Sequence, residues 1–271
     1  MELHHVRRGS GRPLLLVHGL GSSHETWSTI VEPLAAQREV WALDLPGFGK
    51  SPALAGRPTI DAFSDAVAVF QSAHGLEDAD LVGSSMGARI VLELARRGAP
   101  GATVSLDPGG FWSRRDVRVF QTSLAVSIRL VRGIRPALPT LMRSAVARTA
   151  LLAQFSARPW AIPAAVAITE LESLATSRQF DRVLRELVEA PTQRGTNSAP
   201  GRITIGWGRQ DRVCFPSQAK LAQERFPQAT LHWFERCGHF PHWDAPAETV
   251  DLILASTLSG DRSPATGDSS P

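Results

Sequence analysis

The feature that most constrains this chain is the pentapeptide Gly83-Ser84-Ser85-Met86-Gly87, which sits where one hydrophobic pattern gives way to another. An apolar run ending in Leu81-Val82 leads into it. The helical pattern Ala88-Arg89-Ile90-Val91-Leu92-Glu93-Leu94-Ala95 leads out. Gly-x-Ser-x-Gly between a strand and a helix predicts a turn so sharp that the serine backbone is strained, with glycine needed two residues to either side to avoid collisions. Such a turn raises Ser85 Oγ above the sheet at a helix N-terminus, where the dipole favours developing negative charge. Gly and Ser are common in turns, so the pentapeptide alone is a weak signal; its flanks make it specific.

Elsewhere, short β-branched or apolar runs alternate with longer helical patterns. This predicts βαβ units and an α/β fold on a doubly wound, mostly parallel sheet. Strands are expected at 3–7, 13–18, 38–44, 79–84, 102–107, 202–207 and 229–234, and helices near 27–36, 60–74, 86–98, 216–226 and 247–258. The runs at 13–18 and 202–207 read as strands buried on both faces. Ile60, Phe63, Val67 and Phe70 recur every three or four residues, the stripe of an amphipathic helix. After residue 111 the alternation stops. From 112 to 195 helical patterns follow one another without a strand signal, punctuated by Pro136, Pro139, Pro159 and Pro163. Residues 1–111 and 196–258 are therefore expected to form the α/β core and 112–195 an all-α insertion. The Ser/Gly/Pro/Asp-rich stretch 259–271 is expected to be a disordered tail. A chain of 271 residues can bury such a core without staples.

A serine nucleophile on this turn needs oxyanion donors, a base and an orienting acid. His18-Gly19-Leu20-Gly21 closes the strand at 13–18 with a turn that sets a backbone N–H beside Ser85, so the Leu20 and Met86 N–H groups are the expected oxyanion donors. The base and acid should follow in the chain order serine, acid, histidine, from other strand ends. Asp211 lies four residues past Trp207, and His239 follows Gly238 after the strand at 229–234. Both belong to the C-terminal edge, where open α/β sheets gather their sites. Ser85, Asp211 and His239 are thus the expected catalytic residues. Asp107, which ends the strand at 102–107 before Pro108-Gly109-Gly110, is the rival acid, and His242 the rival base. His18 reads as a hydrogen-bonding anchor of its loop, and His24, His74 and His232 as surface or packing residues. Asp44-Leu45-Pro46-Gly47-Phe48-Gly49-Lys50-Ser51 lacks phosphate-loop spacing and reads as a structural loop.

Composition narrows the partners. The net charge is +3, and lysine occurs only at Lys50 and Lys220. Residues 112–195 hold thirteen arginines against six acidic residues. Their spacing suits solvated helix faces, and no basic run is interleaved with aromatics, so nucleic acid is not an expected partner. Cys214 and Cys237 are too few for a disulfide framework and point to a reducing compartment. The segment Met1 to Arg8 lacks the apolar core of a signal peptide, and no run approaches the roughly 18 apolar residues of a membrane span. A cytoplasmic protein acting on a small molecule is expected. Of the His and Cys residues only His239 and His242 have ligand-like spacing, so neither metal nor cofactor is expected.

In His18-Gly19-Leu20-Gly21, Asp44-Leu45-Pro46-Gly47-Phe48-Gly49, Gly83-Ser84-Ser85-Met86-Gly87, Asp211 and Gly238-His239, taken in order, the chain resembles the α/β-hydrolase superfamily over all but its tail. The resemblance implies a cofactor-free hydrolase with residues 112–195 as a helical cap over the site. Two features depart from the pattern. The segment before His18 is short, so one or two of the usual eight strands are expected to be missing, and Asp244 stands where relatives often have Glu, a change expected to matter little. A serine nucleophile argues against the haloalkane dehalogenase and epoxide hydrolase branches, which carry Asp. Carboxylesterases, lactonases, thioesterases and carbon–carbon bond hydrolases of ring-cleavage diketones remain. The leading expectation is hydrolysis of a small carboxylic ester. A ligand receptor on the same fold is the reading outside enzymes. Phe111, Trp112, Phe120, Leu124, Leu130, Leu141, Met142, Leu151, Leu152, Phe155 and Trp160 would suit an apolar acyl or aryl group, or pack the cap helices together.

Overall fold

The structure, a computed structural model, describes residues 1–258, so the tail expected at 259–271 lies outside the described residues. Seven strands are found among them: β1 (His5–Arg8), β2 (Pro13–Val17), β3 (Glu39–Leu43), β4 (Asp80–Ser84), β5 (Thr103–Leu106), β6 (Ile203–Gly208) and β7 (Thr230–Phe234). They form one sheet in the order β1-β3-β2-β4-β5-β6-β7, parallel except for the antiparallel pairing of β1 with β3. The first strand starts two residues later than its apolar run suggests, because Leu3 is buried outside the ladder.

Alternation along the strands feeds two apolar layers. Leu15, Val17 and Leu81 face a cluster with Phe63, Val67 and Ile90, which lie on α2 (Ile60–His74) and α3 (Met86–Arg96). Leu14, Leu16 and Val82 face Trp27, Leu34 and Ile253 on the other side. The helix expected at 27–36 is split into a 3₁₀ turn, His24–Thr29, and a short helix, α1 (Val31–Ala35), with Ile30 at the break. The stripe at 60–74 is a helix of those bounds, capped by the Thr59 side chain on the Ala62 N–H and closed by Gly75 in the left-handed conformation.

Between β5 and β6 every regular element is helical. The longest is Arg114–Ile134, started by a capping box between Ser113 and Asp116. The prolines that punctuate the sequence sit at helix starts: Pro136 and Pro139 in the first turns of Arg135–Ala137 and Leu138–Leu141, Pro159 in that of Pro159–Ala161, and Pro163 at the N-cap of Ala164–Thr176. Phe180–Glu189 completes the insertion. Several of its arginines form exposed pairs, such as Arg132 with Asp181 and Arg135 with Glu172, as expected for solvated faces. Leu130 and Trp160 turn out to face solvent, at 50% and 53% exposure, rather than line a pocket or pack between helices.

Register places the site. Val17 pairs with Gly83, Ser84 with Leu106, Leu106 with Gly206 and Gly208 with Phe234, so the C-terminal ends of five strands share one edge. At the opposite edge Asp80 accepts from Arg38 at 2.6 Å, Arg12 at 3.0 Å and the Ala102 N–H at 2.7 Å. Arg38 and Asp80 are both fully buried. Replacing Asp80 with Ala leaves a buried guanidinium without its counterion, and is expected to cost about 3–5 kcal/mol in denaturant unfolding. A loss below about 1 kcal/mol would show that this pair does not fasten the strand starts.

Candidate active site

Ser85 follows β4 with φ 56° and ψ −114°, a conformation few residues other than glycine adopt. The surroundings impose it. Its N–H donates to the Leu106 carbonyl at 2.9 Å, and its own carbonyl accepts from the Arg89 N–H at 3.2 Å. A Cβ at Gly83 would collide with the Gly87 backbone, and one at Gly87 with the carbonyls of Val17 and His18. These contacts are the physical reason for glycine two residues to each side.

Three of the expected residues meet in one chain of hydrogen bonds. Ser85 Oγ lies 2.8 Å from His239 Nε2, and His239 Nδ1 lies 2.8 Å from Asp211 Oδ2. The other Asp211 oxygen accepts the N–H groups of Val213 at 2.7 Å and Cys214 at 3.0 Å. Asp211 and His239 are 3% and 1% exposed. A carboxylate only accepts, so the imidazole proton sits on Nδ1 and leaves Nε2 as an acceptor for the serine hydroxyl. Leu20 and Met86 line the same cavity as Ser85 and His239. The Met86 N–H, first in α3, has no intrahelical acceptor. The Leu20 N–H makes no backbone hydrogen bond among the described residues.

The rivals occupy other places. His242 packs on Trp27 with ring centroids 4.8 Å apart and reaches Thr26 Oγ1 at 3.2 Å, and burial pushes its imidazole down to about 3. His18 accepts the Leu45 N–H on Nε2 at 2.9 Å and donates from Nδ1 to the Gly19 carbonyl at 2.7 Å. Burial pushes it down to about 4, so it is a neutral anchor of the Leu20 loop. Asp44 is also an anchor. Burial opposes its charge, but hydrogen bonds from the His24 ring, the His24 N–H and the Lys50 N–H outweigh that and hold it well below the usual carboxylate range.

Asp107 lies beside Asp211. It too has positive φ, 48°, and is fully buried. Its Oδ1 accepts the Gly208 N–H at 2.8 Å, its Oδ2 receives no donor, and its carboxyl contacts that of Asp211. Of these four carboxyl oxygens only Asp107 Oδ2 lacks a donor, and a proton on Asp107 satisfies it by donating to Asp211. Burial, reinforced by the Asp211 charge, accordingly holds Asp107 well above the usual carboxylate range. The structure thus distinguishes the two acids: Asp211 contacts the histidine and Asp107 supports Asp211.

Three residues given no role at the site by the sequence also shape it. Asp244, expected to matter little, accepts the Gly238 N–H at 2.7 Å and the Ala157 N–H at 2.8 Å, and also bonds the Ser156 hydroxyl. It joins the histidine loop to the helical insertion, a role visible only after folding brings 156–158 to 238–244. Glu170, on Ala164–Thr176, accepts from Ser22 Oγ at 3.0 Å beside the Leu20 loop, and burial pushes it up to about 7. Arg89 lies one turn past Ser85, between Ala88 and the apolar run Ile90-Val91-Leu92, and a charge at that place was a legible signal.

Two groups each bring three potential metal-ligating atoms within 4.8 Å of one another: His4, His24 and Asp44, and Asp211, Cys214 and His239. In both, the His and Asp atoms are hydrogen-bonded to each other. His239 and His242, the pair with ligand-like spacing, do not form such a group among the described residues. Cys214 and Cys237 are buried and free, with no disulfide between them.

Comparison with known proteins agrees with this architecture. Residues 14–252 match the family model described as the alpha/beta hydrolase family. The dihydrolipoyllysine-residue acetyltransferase component of the acetoin cleaving system of Cupriavidus necator is 31% identical over 278 residues, spanning 96% of this chain and 67% of that protein. The 2-hydroxy-6-oxononadienedioate/2-hydroxy-6-oxononatrienedioate hydrolase 1 of Dechloromonas aromatica is 26% identical over 272 residues, spanning 94% of this chain and 90% of the relative. Among solved structures, a thermophilic esterase from Thermogutta terrifontis superposes with a TM-score of 0.74 at 20% identity, covering 93% of this chain and 92% of that one.

The proton on Asp107 has a thermodynamic signature. The folded state holds it more tightly than the unfolded chain, so its stabilisation is complete below the ordinary carboxylate pKa and is lost as pH rises toward the raised folded value. Asp107→Asn mimics the neutral acid and removes that dependence. Its stability relative to the parent is expected to grow with pH by up to about 1.4 kcal/mol per unit, in urea unfolding from about pH 5 to about pH 8. A difference that stays constant over this range would mean that Asp107 is ionised.

Proposed function

Because the chain belongs to the alpha/beta hydrolase family, we propose that it hydrolyses a small carboxylic ester through an acyl intermediate on Ser85. The observation that carries this reading is the continuous chain from Ser85 Oγ through His239 to Asp211, with both links at 2.8 Å. In this reading His239 Nε2 takes the Ser85 proton as Oγ attacks the carbonyl carbon, and returns it to the leaving alcohol as the carbon–oxygen bond breaks. Asp211 fixes the imidazole tautomer and stabilises its cationic form. The Leu20 and Met86 N–H groups receive the charge on the carbonyl oxygen, a contribution worth on the order of 10²–10³ in rate per donor. Water activated by the same histidine then releases the acid.

Residues 112–195 act in this proposal as the cap that roofs the cavity. Trp112, Phe120, Leu124 and Phe155 line it together with Ser85, which supports a substrate with an apolar acyl or aryl body. The two buried free thiols support a place in the reducing cytoplasm.

A second reading is supported by the relative from Dechloromonas aromatica, named for hydrolysis of 2-hydroxy-6-oxononadienedioate and matched over 90% of its length. The same three residues would there cleave a carbon–carbon bond next to a ketone. Graded p-nitrophenyl esters run beside a ring-cleavage diketone separate the two, since the favoured class should show the higher kcat/KM.

A fluorophosphonate probe is expected to label the protein at one residue, with labelling abolished in Ser85→Ala. Absence of labelling in the parent would falsify the hydrolase reading. His239→Ala and Asp211→Asn are each expected to lower kcat by several orders of magnitude, on the order of 10⁴ for the tautomer-disrupting Asn. Asp107→Asn is expected to stay within about tenfold of the parent, because the amide preserves both hydrogen bonds of the neutral acid. The opposite ranking of the two Asn variants in steady-state assays would exchange the roles of the acids.

A further inference from the structure

Among the described residues Arg89 is the one Lys or Arg side chain that lines the cavity holding Ser85 and His239, and it also borders a second cavity lined by Pro191, Gln193 and Glu93. It lies in the first turn of α3, which starts just after Ser85, and the two residues line the same cavity. Only 3% of the residue is exposed. Its Nε donates to Gln193 Oε1 at 3.0 Å and its Nη2 to the Pro191 carbonyl at 2.6 Å. The guanidinium carbon sits 6.0 Å from the centre of the Trp112 ring. Every one of these partners is neutral. The third nitrogen, Nη1, is buried and has no hydrogen-bond partner.

That arrangement is costly unless something else completes it. A buried cation needs a counterion, and a buried donor needs an acceptor. Glu93 and Asp61 act on Arg89 only through space, and Glu93 is taken by Arg96, Arg97 and Arg194. Burial lowers the guanidinium to about 10, which leaves it charged at neutral pH. Holding the 191–193 segment requires two neutral hydrogen bonds, which an uncharged side chain supplies without the desolvation of a charge. The side chain is also prepositioned. The backbone at Gly110 passes so close that a Cβ there would lie 2.8 Å from Arg89 Nε, and the Gln193 and Pro191 bonds fix the plane of the guanidinium.

We propose that Arg89 recognises a carboxylate on the substrate, so that the enzyme acts on compounds joining an apolar body to an anionic group a few bonds from the carbonyl attacked by Ser85. The free Nη1 supplies the hydrogen bond, and the unmatched charge gains its counterion when the substrate enters. Trp112, Phe120 and Phe155 contact the apolar body, which excludes water from the pair and strengthens it. The proposal rests on the Ser85 hydrolase reading for where cleavage occurs, but the carboxylate site itself is a binding property and is testable without turnover.

The Ser85→Ala protein is titrated with 4-phenylbutanoate and, separately, with 4-phenylbutanamide, which share an aryl chain and differ in charge. Binding is followed by calorimetry. The acid is expected to bind about 10–100-fold more tightly than the amide, the range of a charge-assisted hydrogen bond. Adding Arg89→Met should bring the two ligands within about threefold of each other, while Arg89→Lys keeps part of the preference. If Arg89→Met does not fold, Arg89→Gln, which can still donate to the Pro191 carbonyl, takes its place. Equal affinity for acid and amide, no binding of either, or a preference that survives the neutral variant each overturns the proposal. Failure here with fluorophosphonate labelling of Ser85 intact rejects the carboxylate site alone. Failed labelling with the acid preference intact rejects the hydrolase reading alone.

Discussion

The strained backbone at Ser85 is the constraint on which the rest of this structure depends. A non-glycine residue at φ 56° costs about 1–3 kcal/mol and persists only where its neighbours over-determine it. Here they do so from two strands and a helix. β2 presses the Val17 and His18 carbonyls against Gly87, β5 takes the Ser85 N–H on Leu106, and α3 takes the Ser85 carbonyl on Arg89. The residue after β5 shows the same strain, with Asp107 at φ 48°. Because Ser84 pairs with Leu106, the two strained residues emerge side by side. The sheet register therefore sets both the serine and the carboxyl that supports the facing acid, and a slip of one residue would lose both.

Electrostatics then sorts the acids by how many donors each receives. Asp211 has three and Asp107 one, so the negative charge settles next to the histidine and the proton one residue further from the serine. Two other carboxyls tie the helical insertion to the site. Asp244 bonds both the Gly238 N–H and the 156–158 segment, and Glu170 bonds the loop that carries Leu20. The insertion is thus fastened on one side to the loop of the proposed base and on the other to the loop of a proposed oxyanion donor. A movement of the insertion would be felt at both.

How much of this was legible in the sequence depended on the range of the interaction. The elbow, the helix at 60–74 and the doubly buried strands rest on local spacing, and each formed within a few residues of its expected bounds. The split at Ile30 was not legible, because it arises where Ile30 and Leu34 pack against Val250 and Ile253, more than two hundred residues away in the chain. Asp211 and His239 could be placed because each follows a strand, and strand ends in a parallel sheet share an edge. Asp107 also ends a strand and met that criterion equally well. What separates it from Asp211 is a count of N–H donors that only the folded loops supply. Asp244 was noted but expected to matter little and Glu170 was not noted, since their partners come from segments nearly ninety and nearly one hundred and fifty residues distant.

The same range argument explains why the chemistry is more tightly specified than the substrate. The proposed reacting groups hang on strand ends, whose spacing is fixed by backbone hydrogen bonds that any sheet of this kind possesses. The walls come from Trp112, Phe120, Leu124 and Phe155, apolar residues of the insertion whose packing tolerates exchange of one hydrophobe for another of similar volume. In such a lining a single polar group is felt strongly, because a low-dielectric wall screens it little and offers it no alternative partner. Under the proposed function, specificity in this cavity is therefore set less by the many side chains that enclose it than by the few that cannot satisfy themselves within it. Arg89 is held by α3, the Pro191 carbonyl and the Gln193 side chain, not by the exchangeable walls. The identity of the walls can drift while that cation stays in register with Ser85.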